Sequence, residues 1–182
     1  MQKQLPNTTN TNRKNEFPKP KVECIMRAQK KVIYLDTCYL LDIVKCRRSL
    51  VEDIKYLSTK ATVIIMKSVL DELKSNLASK SEFRQVKGRA LAELNELFSL
   101  PYENENILIE EHKCTQKEIQ GYSNILKLNS NGNARVGIGE ASIISHLSSV
   151  IDLFDSAVIL SNDSDVLHLV EGIRNVSVAT NF

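Results

Sequence analysis

Short apolar runs that alternate with segments of helical periodicity constrain the fold of this chain more than any other feature. Four runs, each rich in β-branched or aromatic residues, occupy 31–35, 62–66, 107–109 and 157–160, and 176–178 is a fifth. Runs of this length without polar alternation are typical of strands that are buried on both faces. Strands that alternate with helices predict a three-layer α/β/α fold with a mainly parallel, roughly five-stranded sheet.

The segments between these runs carry helix signals and loop signals. Helices are predicted from the end of the first run to about residue 60, over 81–98, around 115–127, over 140–150 and in a short stretch from 166. Ser68 is predicted to cap the helix that follows the second strand, and Pro101 to stop continuation of the helix over 81–98. The Asn-rich stretch 129–133 and the Ser/Asn/Asp stretch 161–165 are predicted to be loops.

The charge of the chain is unevenly distributed. Residues 1–31 contain eight Lys or Arg against two Glu, and the remaining residues contain 16 basic against 20 acidic side chains. We expect residues 1–30 to form a disordered basic tail and residues 31–182 to form one domain. The acidic body argues against a broad DNA-coating surface and is compatible with a site built from carboxylates.

The cysteines and the hydropathy predict a cytoplasmic protein without a membrane span. The four Cys have no paired spacing and are expected to stay reduced, and the three His are too scattered for a common zinc site. No apolar run approaches 18 residues, and the N-terminus lacks the apolar segment of a signal peptide.

Acidic side chains follow the predicted strands at the points where the strands end. In open α/β sheets ligands bind outside the carboxyl ends of the strands, so acids at these positions are expected to lie close together. Each could instead have a local role, because Asp and Glu in a first helical turn complement the helix dipole and Asp in a loop forms turns. The acids in question are Asp36, Asp71, Glu72, Glu140, Asp163 and Asp165.

A cluster of carboxylates predicts a site for a hard divalent cation. Neighbouring carboxylates repel one another by about 1 kcal/mol or more per pair at ~4 Å, and a cation removes that repulsion. Ligands that are all oxygen select Mg²⁺ or Mn²⁺. Such ions activate water and neutralise developing charge during phosphodiester hydrolysis, which requires neither a His base nor a Ser or Cys nucleophile.

The order and spacing of these acids resemble the PIN-domain nucleases, including the VapC-type toxin branch. The resemblance covers roughly residues 31–180, and four segments carry it: Leu35-Asp36-Thr37-Cys38-Tyr39-Leu40-Leu41, Val69-Leu70-Asp71-Glu72-Leu73, Gly139-Glu140-Ala141-Ser142-Ile143 and Leu160-Ser161-Asn162-Asp163-Ser164-Asp165-Val166. Cys38 departs from the family, which often has Asn there, so that polar contact is expected to be missing. The interval between Glu72 and Glu140 is also long for the compact toxins.

The resemblance implies a role for each matching residue. The catalytic, metal-binding acids would be Asp36, Glu72, Glu140 and Asp163, with Asp165 as an additional acid, and Thr37, Ser161 and Asn162 would orient them. Asp71 matches no family ligand and is assigned to the N-terminal part of its helix. Basic residues near these acids are candidates for contact with substrate phosphates: Lys80, Arg84, Lys87 and Arg135, together with Arg89.

The resemblance also implies an activity and partners. The expected function is a Mg²⁺- or Mn²⁺-dependent endoribonuclease with an RNA substrate. The VapC-type resemblance adds the expectation of a toxin from a toxin–antitoxin pair, with an inhibitory antitoxin and a homodimeric state. Two alternative hypotheses remain open. One is a non-catalytic PIN-like module that binds RNA or protein, and the other is a structure-specific DNA nuclease. A haloacid-dehalogenase-type phosphatase is disfavoured because Asp36-Thr37-Cys38 lacks the Asp-x-Asp motif, and Gly137-Ile138-Gly139 lacks the third glycine of a dinucleotide-binding loop.

Overall fold

The computed structural model describes residues 31–129, 136–171 and 173–180. Five strands form one sheet: β1 (Lys31–Leu35), β2 (Thr62–Met66), β3 (Ile107–Glu110), β4 (Ser156–Leu160) and β5 (Val176–Ala179). All neighbouring strands are parallel, and their order is β3-β2-β1-β4-β5. The predicted fold class is therefore confirmed, and the sheet is parallel throughout.

Eight α-helices flank this sheet in the described part of the chain. They are α1 (Thr37–Lys45), α2 (Leu50–Ser58), α3 (Lys67–Ser79), α4 (Lys87–Leu97), α5 (Leu100–Glu103), α6 (Gln116–Asn129), α7 (Ile138–Val150) and α8 (Ser164–Val170). None of the described helices is long and apolar enough to cross a membrane.

Apolar side chains that are buried on both faces of the sheet hold the layers together. Every residue of β2 is buried, as its unbroken apolar sequence predicts, and Tyr34 and Leu35 of β1 are inaccessible to solvent. The helices contribute Val69, Leu70, Leu73 and Leu77 from α3, together with Leu40, Ile43 and Val44 from α1. Burying an aliphatic side chain of this size contributes about 1.5–3 kcal/mol, so α1 and α3 are firmly fixed against the sheet.

Two predicted helix starts are wrong, because each helix begins about two residues earlier than expected. Helix α3 begins at Lys67, directly after β2, and its N-cap residue Met66 makes no side-chain capping bond. Ser68 lies inside the first turn, where its buried hydroxyl has no hydrogen-bond partner in the structure. Helix α7 likewise begins at Ile138, so that Glu140 lies at its third position.

The predicted helix over 81–98 is interrupted. A short 3₁₀ turn spans Ser81–Phe83, and α4 begins only at Lys87. Buried Phe83 anchors the turn, while Phe98, which the periodicity assigned to the apolar face, is 42% exposed. Apolar residues three positions apart lie on one side of a 3₁₀ turn as well as of an α-helix. The sequence pattern is therefore compatible with either structure. Pro101 lies in the first turn of α5, after α4 has ended, as expected.

Two predicted loops have different outcomes. Residues 161–165 form a loop only as far as Asp163, because α8 begins at Ser164 with Asp163 as its N-cap. Of the predicted loop 129–133, Asn129 ends α6 and residues 130–133 lie outside the described residues. The predicted tail, residues 1–30, lies outside them as well.

Candidate active site

The site lies where the order of the strands reverses direction, between β1 and β4. Chain connections run outward from these two strands in opposite directions, which leaves a crevice at their carboxyl ends. The backbone N–H of Asp36 donates to the carbonyl of Leu160 at 3.0 Å, so the ends of β1 and β4 remain paired at the crevice. The residues that follow the two strands are therefore held side by side.

Asp36 is the buried centre of this crevice, with only 3% of its surface exposed. Its Oδ1 accepts from the backbone N–H of Thr37 at 2.7 Å, and its Oδ2 accepts from Ser161 Oγ and Cys38 Sγ, each at 2.8 Å. Asp36 is also the N-cap of α1, so the helix dipole favours its negative charge. A buried carboxylate with three donors is both stabilised and held in one orientation.

Glu72 reaches the same crevice from the second turn of α3. Its Oε2 accepts from Thr37 Oγ1 at 3.1 Å. A β-carbon at Gly139, on α7, would lie 2.8 Å from Glu72 Oε2 and 3.4 Å from Thr37 Oγ1. A side chain at Gly139 would therefore displace the Glu72 carboxylate, so the glycine leaves room for Glu72 to lie beside Thr37.

Glu140 brings a third carboxylate, from the first turn of α7. Its Oε2 accepts from the backbone N–H of Gly137 at 2.9 Å, which bends the side chain back over the start of the helix. Burial raises the pKa of Glu140 to about 7; the Gly137 N–H opposes this rise, and the charges of Asp36, Asp163 and Glu72 add to it. Four carboxylates from four chain segments therefore influence one another.

The pKa of Glu72 is raised as well, although Glu72 is the most exposed residue of the four. Partial burial of the carboxyl group is the largest cause, the hydrogen bond from Thr37 opposes it, and the charge of Asp36 adds to it. The positive charge of Lys80 lowers this pKa in turn. Lys80, a predicted substrate contact, is thus close enough to the crevice to act on one of its acids.

The fourth carboxylate, Asp163, caps α8 and is tied to Asp36 through Ser161. Asp163 Oδ1 accepts from the backbone N–H of Asp165 at 2.8 Å, and the backbone N–H of Asp163 donates to Ser161 Oγ at 3.0 Å. The same Ser161 hydroxyl donates to Asp36, so this one buried side chain links the two acids. Asp165 is not among the charges that raise the pKa of Glu140.

Cys38 stands where the family often has Asn, and a polar contact was expected to be missing there. In the structure its thiol does make polar contacts. Besides donating to Asp36, its Sγ lies 3.2 Å from Ser161 Oγ and accepts from the backbone N–H of Asn162 at 3.0 Å. The thiol therefore joins the segments after β1 and β4. The side-chain amide of Asn162 donates to Asp42, further along α1. Nothing in the sequence pattern indicated these contacts, because thiols rarely act as polar partners.

The acids fit a hard divalent cation by the chemistry of their donor atoms, which are all carboxylate oxygens. Within the described residues, no three His, Cys, Asp or Glu side chains converge closely enough to hold a metal ion as they stand. The carboxylate oxygens are instead directed at hydrogen-bond donors, which are Thr37, Cys38, Ser161 and the backbone N–H of Gly137. An all-oxygen set with accumulated negative charge suits Mg²⁺ or Mn²⁺ once Glu72 and Glu140 turn toward a common centre.

The remaining predicted residues have different surroundings. Asp71 is exposed and accepts from Lys67 Nζ at 2.6 Å, one turn back on α3, so it lies beyond the first turn of that helix. Lys87 Nζ donates to the carbonyl of Ala78 at 3.1 Å, Arg84 is exposed, and Arg135 lies outside the described residues. The guanidinium of Arg89 donates to the carbonyls of Arg47 and Arg48, so it has a structural role.

No protein-family model matches the chain, and neither does any curated protein. The solved structures that are similar to it include the following two. VapBC2 from Rickettsia felis, bound to a DNA fragment from their promoter, has 17% sequence identity and a TM-score of 0.47, covering 82% of this chain and 98% of that chain. The PIN domain endonuclease Utp24 has 10% identity and a TM-score of 0.45, covering 83% and 85%. The second of these structures is described as a PIN domain, the family that the four acidic motifs resemble.

Proposed function

We propose that this chain is an endoribonuclease that hydrolyses RNA phosphodiester bonds with Mg²⁺ or Mn²⁺ held by Asp36, Glu72, Glu140 and Asp163. The observation that carries the proposal is the hydrogen-bonded network at the carboxyl ends of β1 and β4, in which Thr37 links Asp36 to Glu72 and Ser161 links Asp36 to Asp163. The chain brings like charges from four segments into one crevice, an arrangement that destabilises the protein unless a cation compensates it. Natural proteins keep such arrangements at functional sites.

A divalent cation at this position would lower the pKa of a bound water and neutralise charge that develops on the phosphate. The residues around the acids would keep the ligands in place. Thr37, Cys38 and Ser161 fix the orientation of Asp36, and Ser161 also holds the backbone of Asp163. Thr37 Oγ1 does the same for Glu72, and Lys80 is positioned near Glu72 to hold a substrate phosphate.

The proposal extends to a partner and a setting. A nuclease of this kind in the cytoplasm needs control, and the acidic crevice suits a protein that inserts a Lys or Arg side chain among the carboxylates. We therefore include in the proposal that the chain is the toxin of a toxin–antitoxin pair and acts as a homodimer. The resemblance of the four acidic motifs to the VapC-type branch supports this part.

Incubation of the purified chain with total cellular RNA tests the proposed function. We expect discrete cleavage products in the presence of Mg²⁺ or Mn²⁺ and none in the presence of EDTA, because the carboxylates alone activate no water. Parallel incubations with single- and double-stranded DNA distinguish the two classes of nucleic acid. RNA that stays intact under every condition, with protein shown to be folded and free of partners, would refute the ribonuclease proposal, and cleavage of DNA alone would replace RNA as the substrate.

A further inference from the structure

We propose that residues 22–26 pair with β5 as an antiparallel strand and close a groove between β5 and α8. The inference concerns a docking surface within the chain and is independent of the proposed function. Strand β5 ends the sheet on its side, and no strand lies beyond it in the ranges that the structure describes. The occupant belongs to the residues before Lys31, which are outside those ranges.

The outer edge of β5 is oriented for pairing with a further strand. In parallel strands, alternate residues bond to the neighbouring strand. The carbonyls of Asn175 and Ala179 accept from N–H groups in β4 and directly after it, at 2.9 and 3.1 Å. By this alternation, the N–H and C=O groups of Val176 and Val178 point away from β4. An edge with β-branched residues at these positions favours the addition of a strand.

A groove beside this edge has a mainly aliphatic lining. It has a volume of about 350 Å³, and five of its eight lining residues are aliphatic, namely Leu167, Val170, Ile173, Val176 and Val178. Leu167 on α8 is 55% exposed, and the two valines of β5 are only half-buried. An extended segment with apolar side chains at every second position would cover both the strand edge and this groove.

Residues 22–26 have the sequence that such a segment requires. They read Val-Glu-Cys-Ile-Met, with apolar side chains at 22, 24 and 26. Side chains alternate between the two faces of a strand, so these three lie on one face. The last proline of the N-terminal part is Pro20, and the other apolar residues before Lys31 are isolated. The proposal therefore departs from the expected disorder of the tail for these five residues.

The connection to β1 is long enough for this position. Lys31 pairs with Ser156 at the start of β4, and β5 begins at the same end of the sheet. A strand beyond β5 lies three strand spacings from β1, which is about 14 Å. The five peptide units between Met26 and Lys31 extend to about 17 Å. Met26 therefore reaches Val176, and the segment runs antiparallel to β5.

Charged residues favour the same path. The connection over 27–30 contains Arg27 and Lys30, and it crosses the sheet at the start of β4. Asp155 directly precedes β4, and Asp152 is exposed three residues earlier. Opposite charges therefore lie together at this crossing. Residues 1–21, which contain five Lys or Arg, then leave the sheet at the edge where the acids of the candidate active site lie.

A disulfide between Cys24 and an introduced thiol tests the pairing in the full chain. With Met26 opposite Val176, Cys24 lies opposite Val178, at a Cα separation of about 5.5 Å that suits a disulfide. We expect Val178→Cys to form this bond within one chain under mild oxidation, as shown by mass spectrometry of a non-reduced digest. The matched control is Ser177→Cys, whose side chain lies on the other face, and we expect its yield to be at least about 10-fold lower. Both proteins carry Cys46→Ser, which removes an exposed thiol.

Hydrogen exchange in a chain with unaltered β5 provides a second measurement. Cys24→Asp places a charge against the groove, and we expect the backbone N–H of Val178 to exchange at least about 10-fold faster than in the wild type. Ile25→Asp, the neighbouring position on the other face, should change this rate less than about twofold. Neither measurement involves RNA, so the results bear on this inference alone.

Three results would overturn the inference. Equal disulfide yields in Val178→Cys and Ser177→Cys would show random collision of the tail with the sheet edge. A disulfide that joins two chains would show that a second copy covers β5 instead. Exchange at Val178 that is the same in Cys24→Asp and in the wild type would show that residues 22–26 do not protect this edge.

Discussion

Asp36→Asn is expected to lower the rate of RNA cleavage by at least about 10³-fold while the protein remains folded. Asp36 is the most buried of the four acids, and it belongs to the hydrogen-bond network that also holds Asp163. Replacing one carboxylate oxygen by an NH₂ group removes both the negative charge and a cation ligand. Single-turnover cleavage of a labelled RNA in Mn²⁺ measures the effect.

The stability of this variant is expected to change little. Asparagine keeps an oxygen for the backbone N–H of Thr37, and the Ser161 hydroxyl can rotate to accept from the new amide. A hydrogen bond that the new amide leaves unsatisfied destabilises the folded protein by about 1 kcal/mol. The removal of one negative charge from the acidic crevice offsets part of that destabilisation. Chemical denaturation of the two proteins in EDTA measures this difference.

Asp71→Asn is the matched control for the activity measurement, because Asp71 lies next to Glu72 in sequence but outside the crevice. Its ion pair with Lys67 is exposed to solvent and therefore contributes little to stability. We expect a change in cleavage rate of less than about twofold, because the side chain contacts none of the four acids. Equal losses in Asp36→Asn and Asp71→Asn would show that the crevice is not the catalytic site.

Glu140→Gln is expected to stabilise the metal-free protein at pH 8 by about 2–3 kcal/mol and to flatten its dependence on pH. The folded-state pKa of Glu140, about 7, exceeds the ordinary value of 4.5, so the folded protein holds this proton more tightly than the unfolded chain does. The resulting stabilisation is fully present below about pH 4.5 and is lost as the pH rises through about 7. Glutamine stays neutral and can still accept from the N–H of Gly137.

Urea unfolding in EDTA at pH 5, 6.5 and 8 measures this effect. The wild type is expected to lose stability across that range, and Glu140→Gln to lose considerably less. Glu96→Gln, an exposed substitution on α4, serves as the control and should follow the wild type. Identical profiles for all three proteins would mean that the four carboxylates are not coupled in the way the geometry indicates.

The sequence predicted the strands well because they depend on local signals, and the positions of the acids relative to the sheet follow from the strands. An unbroken run such as 62–66 has to be buried on both faces, and a parallel sheet then brings the residues after β1 and β4 to one edge. The order of the acidic segments was therefore sufficient to predict that Asp36 and Asp163 lie close together. Asp71 and Glu72, although adjacent in sequence, have different surroundings, since Glu72 accepts from Thr37 in the crevice and Asp71 accepts from Lys67 outside it.

What the sequence did not reveal are contacts between residues that are distant in the chain. The role of Cys38 depends on a serine 123 positions away, and no local pattern encodes that distance. The close approach at Gly139 depends on the crossing of α3 and α7, which only the packed fold determines. Phe83 could be assigned to a helical face by its spacing, but its burial in a 3₁₀ turn reflects the tertiary packing.

Binding of Mn²⁺, followed by electron paramagnetic resonance at pH 8, tests the central claim most directly because it requires no knowledge of the substrate. We expect the wild type and Asp71→Asn to bind the ion equally well. Affinity is expected to fall at least about 10-fold in each of four single variants: Asp36→Asn, Glu72→Gln, Glu140→Gln and Asp163→Asn. Failure of the wild type to bind Mn²⁺, or equal binding by all six proteins, would contradict the claim that these four carboxylates form one cation site.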